Sequence, residues 1–130
     1  LYNLLNVDNQ FAFNSTEVNP KYMGHLARAA NILNENNSLN LKVTGHADSV
    51  GDVQYNQKLA MGRAKQVKRY LIIFGLNPSR VETQSVGDTL PLYDGESEGV
   101  RLTNRRVSIE VVDTQEQAEQ RLQGGYNEMD

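Results

Sequence analysis

The stretch that most constrains this chain runs from Leu41 to Phe74, where the spacing of apolar residues changes from that of a strand to that of a helix. Leu41, Val43 and Gly45 alternate with Lys42 and Thr44, the pattern of a strand with one buried face. A polar turn from His46 to Asp52 follows. Beyond it, Ala60, Ala64, Val67, Leu71 and Phe74 recur at helical spacing and stop at Gly75. A strand that feeds a long helix implies a crossover connection, and so a parallel partner strand.

The remaining text supplies the partners. Phe11 and Phe13 alternate with small or polar neighbours, which predicts a short first strand ended by Asn14-Ser15. Residues 1–10 are weakly patterned and predict no more than a short lead-in. Asn19-Pro20 reads as an N-cap with proline at the first helical position. Met23, Leu26, Ala27, Ala30 and Leu33 then give an apolar stripe that ends near Asn36-Asn37. Val81, Thr83 and Ser85 alternate with Glu82, Gln84 and Val86 in a third strand, either face of which suits burial. After a loop from Gly87 to Gly99, Val107, Ile109 and Val111 form a last strand that returns antiparallel beside its neighbour. The expected class is α/β, a βαβαββ two-layer sandwich with two main helices packed on one face of a small mixed sheet. Residues 1–112 form the domain. Residues 113–130 form an acidic polar tail, partly helical or disordered.

Several function classes find no support. With 130 residues, 38% of them hydrophobic, the chain has material for one core and one domain. It has no cysteine, so disulfides, thiol nucleophiles and thiolate metal sites are excluded. No apolar run reaches the roughly 18 to 20 residues needed to span a bilayer, and LYNLLNVDNQ lacks the regions of a signal peptide. The net charge is −3, but residues 113–130 hold five acids against one base, which leaves the body nearly neutral and unlike a nucleic-acid binder. Neither GxGxxG nor a P-loop occurs, so no nucleotide cofactor is expected. His46 and Asp48 form an HxD element, but His25 is the one other histidine and brings no ligand pattern, so no metal is expected. A Ser-His-Asp triad lacks its GxSxG elbow, and His46 is better read as a strand-end residue bonded to the neighbouring loop.

Two clusters of charge remain. With a helix starting near Asp52, Asn56, Leu59 and Arg63 fall on one face that looks back at Asp48. A carboxylate and a guanidinium so placed suit a small zwitterion, one taking an ammonium and the other a carboxylate; they suit a plain salt bridge equally well. Arg101, Asn104, Arg105 and Arg106 precede the last strand. They either pair with Asp94, Glu96 and Glu98 on the surface, or place Arg105 or Arg106 so as to anchor the loop beside Asp48. Lys58, Lys65, Lys68 and Arg69 lie off the apolar stripe and read as a solvated face.

The motifs together resemble the OmpA-like C-terminal domain family, which includes peptidoglycan-associated lipoproteins and the periplasmic part of the flagellar stator protein MotB. The resemblance covers about residues 10–112. It rests on Phe11 to Ser15 for FxFxS, Gly45 to Gly51 for the GHTDxxG turn, Tyr55 to Val67 for YNxxLSxxRAxxV, Val86 to Pro91 for a GxGxxxP segment, and Arg101 to Val107 for RxxNRRV. Ala47, Ala60 and Val86 depart from the pattern; Ala47 removes a hydroxyl beside Asp48. The resemblance implies a non-catalytic domain that grips the peptide stem of peptidoglycan, with Asp48 on the ammonium and Arg63 on the carboxylate of diaminopimelate. Asn56, Leu59 and Ala47 would line the pocket, Phe13, Asn14 and Ser15 its other wall, with Arg106 close by. It implies a periplasmic domain tied to the outer membrane by a segment upstream of this chain. The alternative is a stator-type or protein–protein interaction module, homodimeric, with weak or regulated wall binding.

Overall fold

A sheet of three strands, ordered β2-β1-β3, carries two long helices on one face. The structure is a computed structural model and describes residues 1–47, 51–87 and 104–114. In chain order the elements are α1 (Tyr2–Leu5), α2 (Pro20–Glu35), β1 (Leu39–His46), α3 (Val53–Ile73), a 3-10 turn (Pro78–Arg80), β2 (Val81–Gly87) and β3 (Val107–Asp113). Asp48, most of the loop after Gly87 and the tail from residue 115 lie outside the described residues.

The helices begin where their side chains satisfy the first unpaired N–H groups. Asn19 Oδ1 accepts from Tyr22 N at 2.9 Å ahead of Pro20, and Asp52 Oδ1 accepts from Gln54 N at 2.7 Å and Tyr55 N at 3.3 Å. Gly75, at φ 106°, follows α3 in the left-handed region that ends helices. Tyr22, Leu26, Ala29, Ala30 and Leu33 bury the inner face of α2, and Ala60, Ala64, Val67 and Leu71 that of α3. The expected α2 stripe is therefore rotated. Tyr22 and Ala29 join it, while Met23 and Ala27 are only partly buried. A phenol is tolerated there because Tyr22 Oη donates to the carbonyl of Leu5, itself fully buried at the end of α1.

β1 is the central strand, parallel to β2 through the α3 crossover and antiparallel to β3, with Leu41 opposite both Val81 and Val111. The last strand thus returns beside β1, not beside the preceding strand. Val43, Val81, Val107 and Ile109 point into the core, and Ser85 Oγ donates to the α3 carbonyl of Gln57, which assigns the buried face of β2. The strand expected around Phe11 and Phe13 is reduced to a single antiparallel bridge, Gln10 to Arg106. Ser15 N bonds back to Ala12 O and Asn14 takes φ 58°, so the chain turns before a second rung forms. Ahead of the bridge, Asn6 Oδ1 accepts from Ile109 N and Asn6 Nδ2 donates to Ile109 O, both at 2.9 Å, while Asn9 Nδ2 donates to Val107 O.

β1 and α3 touch most closely at Gly45. A Cβ there would collide with the backbone carbonyl of Ala60, which no rotamer change relieves. Gly45→Ala is expected to destabilise the domain by about 3 kcal/mol or more and to lower the melting temperature by over about 10 °C, measured by circular dichroism. Burial holds the Tyr22 phenol far above its usual range, whereas the unfolded chain's tyrosine ionises near pH 10. The stability this contributes is complete below that pH and is lost as pH rises past it. Tyr22→Phe should cost about 1 kcal/mol at neutral pH and flatten the alkaline loss, as read from urea unfolding across the alkaline range.

Candidate functional site

The first turns of α3, the Phe11–Ser15 segment and the start of β3 converge on a small pocket of about 30 Å³. From α3 it takes Tyr55, Asn56, Leu59 and Arg63, from the N-terminal wall Phe13 and Asn14, and from ahead of β3 Arg105. The helical spacing of Asn56, Leu59 and Arg63 brings all three to the same cavity. Asn56 is 2% exposed and Leu59 partly buried.

Arg63 is 0% exposed. Its Nε donates to Ser15 O at 2.8 Å, Nη1 to His46 O at 2.8 Å and Nη2 to Ala12 O at 3.3 Å, and its guanidinium carbon sits 5.3 Å from the centre of the Phe11 ring. Three of the five N–H donors thus go to backbone carbonyls of two different segments. Gly62, the residue before it, lets α3 approach the same wall: a Cβ there would press on the methyl of Thr16 at 3.0 Å.

The other expected residues are placed as follows. Ser15 contributes its carbonyl to Arg63 and does not line the pocket, and Ala47 is buried at the end of β1, also off the pocket wall. Asp48 is outside the described residues, as are Asp94, Glu96 and Glu98. Of the two arginines before β3, Arg105 lines the pocket and Arg106 does not. The Arg106 carbonyl accepts from His46 N at 2.8 Å; its guanidinium is half-buried, which lowers its pKa, and Nη1 is buried with no hydrogen-bond partner among the described residues. His46 Nε2 lies 2.8 Å from Ser108 Oγ, on the neighbouring strand and not on a loop.

Two wall residues escaped the motif reading of the pocket. Tyr55 sits one turn before Leu59 and so shares its face; its hydroxyl meets Asn14 Oδ1. Arg105 is 4% exposed, donates from Nε to Phe11 O at 3.3 Å and holds its guanidinium carbon 5.9 Å from the centre of Phe13, a ring left 64% exposed. Among the described residues no cluster of three or more His, Asp or Glu suits a metal ion, and no helix is long and apolar enough to cross a membrane.

Comparison with known proteins follows the same boundaries. A family model described as the OmpA family matches residues 10–105. The chain is 36% identical over 105 residues to outer membrane porin F of Pseudomonas fluorescens, covering 81% of this chain and 32% of the porin's length. The crystal structure of the peptidoglycan-associated lipoprotein from Burkholderia pseudomallei superposes with a TM-score of 0.78 at 28% identity, covering 80% of this chain and 88% of that one. The C-terminal domain of Helicobacter pylori MotB gives 0.75 at 25% identity, with 95% and 96% covered.

The wall depends on Arg63. Arg63→Met should take a donor from three carbonyls, of which that of Ala12 keeps Ser15 N, and cost roughly 3 kcal/mol or more in urea unfolding. A loss below about 1 kcal/mol would show that those carbonyls find water instead.

Proposed function

The chain belongs to the OmpA family, and on that premise we propose that it binds the peptide stem of peptidoglycan without cleaving it. The observation that carries this reading is the pocket, in which a helix face of Asn56, Leu59 and Arg63 meets the Phe13–Asn14 wall, with the HADSVGD segment beginning at the end of β1. In this reading the diamino acid of the stem, diaminopimelate, presents its ammonium to Asp48 and its carboxylate to the pocket side of Arg63. Arg63 is held by three carbonyls before any ligand arrives, so little of its side-chain entropy remains to be lost on binding. The pocket is small enough to take one end group at a time. Affinity is accordingly modest, since few contacts are buried.

The Ser108–His46 hydrogen bond is no argument for hydrolysis, because neither residue lines the pocket. The role that follows is to tie an outer-membrane or envelope protein to the wall from the periplasmic side, with the membrane attachment supplied upstream. The likeness to MotB domains over 95% of the chain favours a second reading, a stator-type interaction module with weak or regulated wall binding.

Co-sedimentation with purified sacculi and NMR titration with a soluble stem peptide test the proposal. The chain is expected to sediment with sacculi, and the peptide to shift resonances of Asp48, Asn56 and Arg63. Asp48→Ala should abolish both effects while leaving the melting temperature within a few degrees. Absence of shifts at millimolar peptide would overturn wall binding. If that came with a mass that rises with concentration in light scattering, the second reading would stand in its place.

A further inference from the structure

We propose that the outer face of α3 docks on an anionic phospholipid bilayer, with Lys58, Lys65 and Arg69 supplying charge and Ile72 and Ile73 inserting shallowly. The inference goes beyond stem binding and does not depend on it. Lys58, Lys65, Arg69 and Ile72 stand seven, four and three residues apart, so they share one side of the helix, and all four are exposed. Lys68 flanks them, partly buried, and Ile73 is 59% exposed. α3 contains no acidic residue, and the neighbouring α2 adds Lys21 and Arg28, both exposed, against the single acid Glu35. Among the described residues none of these six cations makes a hydrogen bond or a salt bridge. The helix layer is thus basic on its outside, in a chain whose net charge is −3.

Cations alone would suit a solvated face. The two isoleucines left in water at the end of the same face change that reading, because a basic helix side with exposed aliphatic tips has the composition of a membrane-surface element. Its cations meet lipid phosphates, and its apolar tips reach the boundary of the acyl chains. The lysine stems reach sideways over apolar surface while their ammonium groups stay in the headgroup layer. A peptide or protein partner is gripped by a groove, yet these side chains line neither the pocket at the start of α3 nor the wider clefts against the sheet. A bilayer needs only a plane. The pocket residues Asn56, Leu59 and Arg63 fall about 130° round the helix from Lys58, so contact along the outer face leaves the pocket open.

The test is co-sedimentation of the chain with sucrose-loaded vesicles at low ionic strength, one set of phosphatidylcholine alone and one with about one-third phosphatidylglycerol. Being anionic overall, the chain is repelled by the second set unless a local patch outweighs its net charge. Partitioning at least about tenfold stronger into that second set is expected, and about 0.5 M NaCl should abolish the preference. Lys65→Gln should weaken binding about fivefold, while Lys42→Gln, which removes one charge from the opposite face of the sheet, should change it less than about twofold. Ile72→Gln together with Ile73→Gln keeps every charge and should weaken it about tenfold. All these variants should remain folded by circular dichroism. Equal partitioning into the two vesicle sets, or a loss as large for Lys42→Gln as for Lys65→Gln, would overturn the proposal. So would a mass in light scattering that rises with concentration and falls back in the isoleucine variant without vesicle binding, which would give the face to a second copy of the chain. Shifts of the Lys65 and Arg69 amide resonances on removal of residues 115–130, again without vesicle binding, would overturn it in favour of the acidic tail.

Discussion

A charge placed where water does not reach holds three parts of this domain together. The guanidinium of Arg63 lies inside the fold, and three of its five donors go to the carbonyls of Ala12, Ser15 and His46. A strand end, a helix and an irregular wall are therefore referred to one planar group. Such a group is costly to bury and more costly to leave unpaired, so the wall has few other places to be. The Phe11–Ser15 segment, with only one rung of sheet pairing, is positioned by side chains from elsewhere and not by a ladder of its own.

The second constraint is the contact of β1 with α3. Gly45 lets the strand lie directly on the helix backbone at Ala60, and three residues along that helix stands Arg63, within reach of the carbonyl that follows Gly45. The fit of helix to sheet and the position of the guanidinium are thus one geometric fact. A strand residue with any side chain at that point would lift the helix and separate Arg63 from His46.

Local chemistry made much of this legible in the sequence. Asn19-Pro20 and Asp52 mark the helix starts because capping is decided within four residues, and the alternations at Leu41, Val81 and Val107 mark strands because the period is itself the burial pattern. The helix face of Asn56, Leu59 and Arg63 followed from the same periodicity. What stayed hidden depended on partners distant in sequence. Phe11 and Phe13 alternate as a strand would, but Asn14 and the pull of two arginines stop the pairing after one bridge. Tyr22 reads as a poor core residue until the Leu5 carbonyl is known to receive its hydroxyl, from a segment whose own pattern is weak. Adjacent arginines are indistinguishable by type, and only the course of the backbone turns Arg105 towards the cavity and Arg106 away from its wall. Position 48 resembles its counterpart in the family, and its side chain lies outside the described residues.

The two asparagines ahead of the Gln10 bridge have a consequence for how the molecule behaves in company. A strand with an open margin is a template on which a stranger's backbone can pair, and repeated pairing of that kind leads to aggregation. Along β3 the margin at Val107 and Ile109 is occupied by the side chains of Asn9 and Asn6, and the Asn6 amide offers one donor and one acceptor as a peptide unit would. The margin is thus closed by two side chains together with the backbone carbonyl of Asn9, which accepts from Val107 N, at the place where a foreign strand would otherwise be recruited. A side-chain amide saturates the groups it meets but has no further backbone to present, so the sheet ends there.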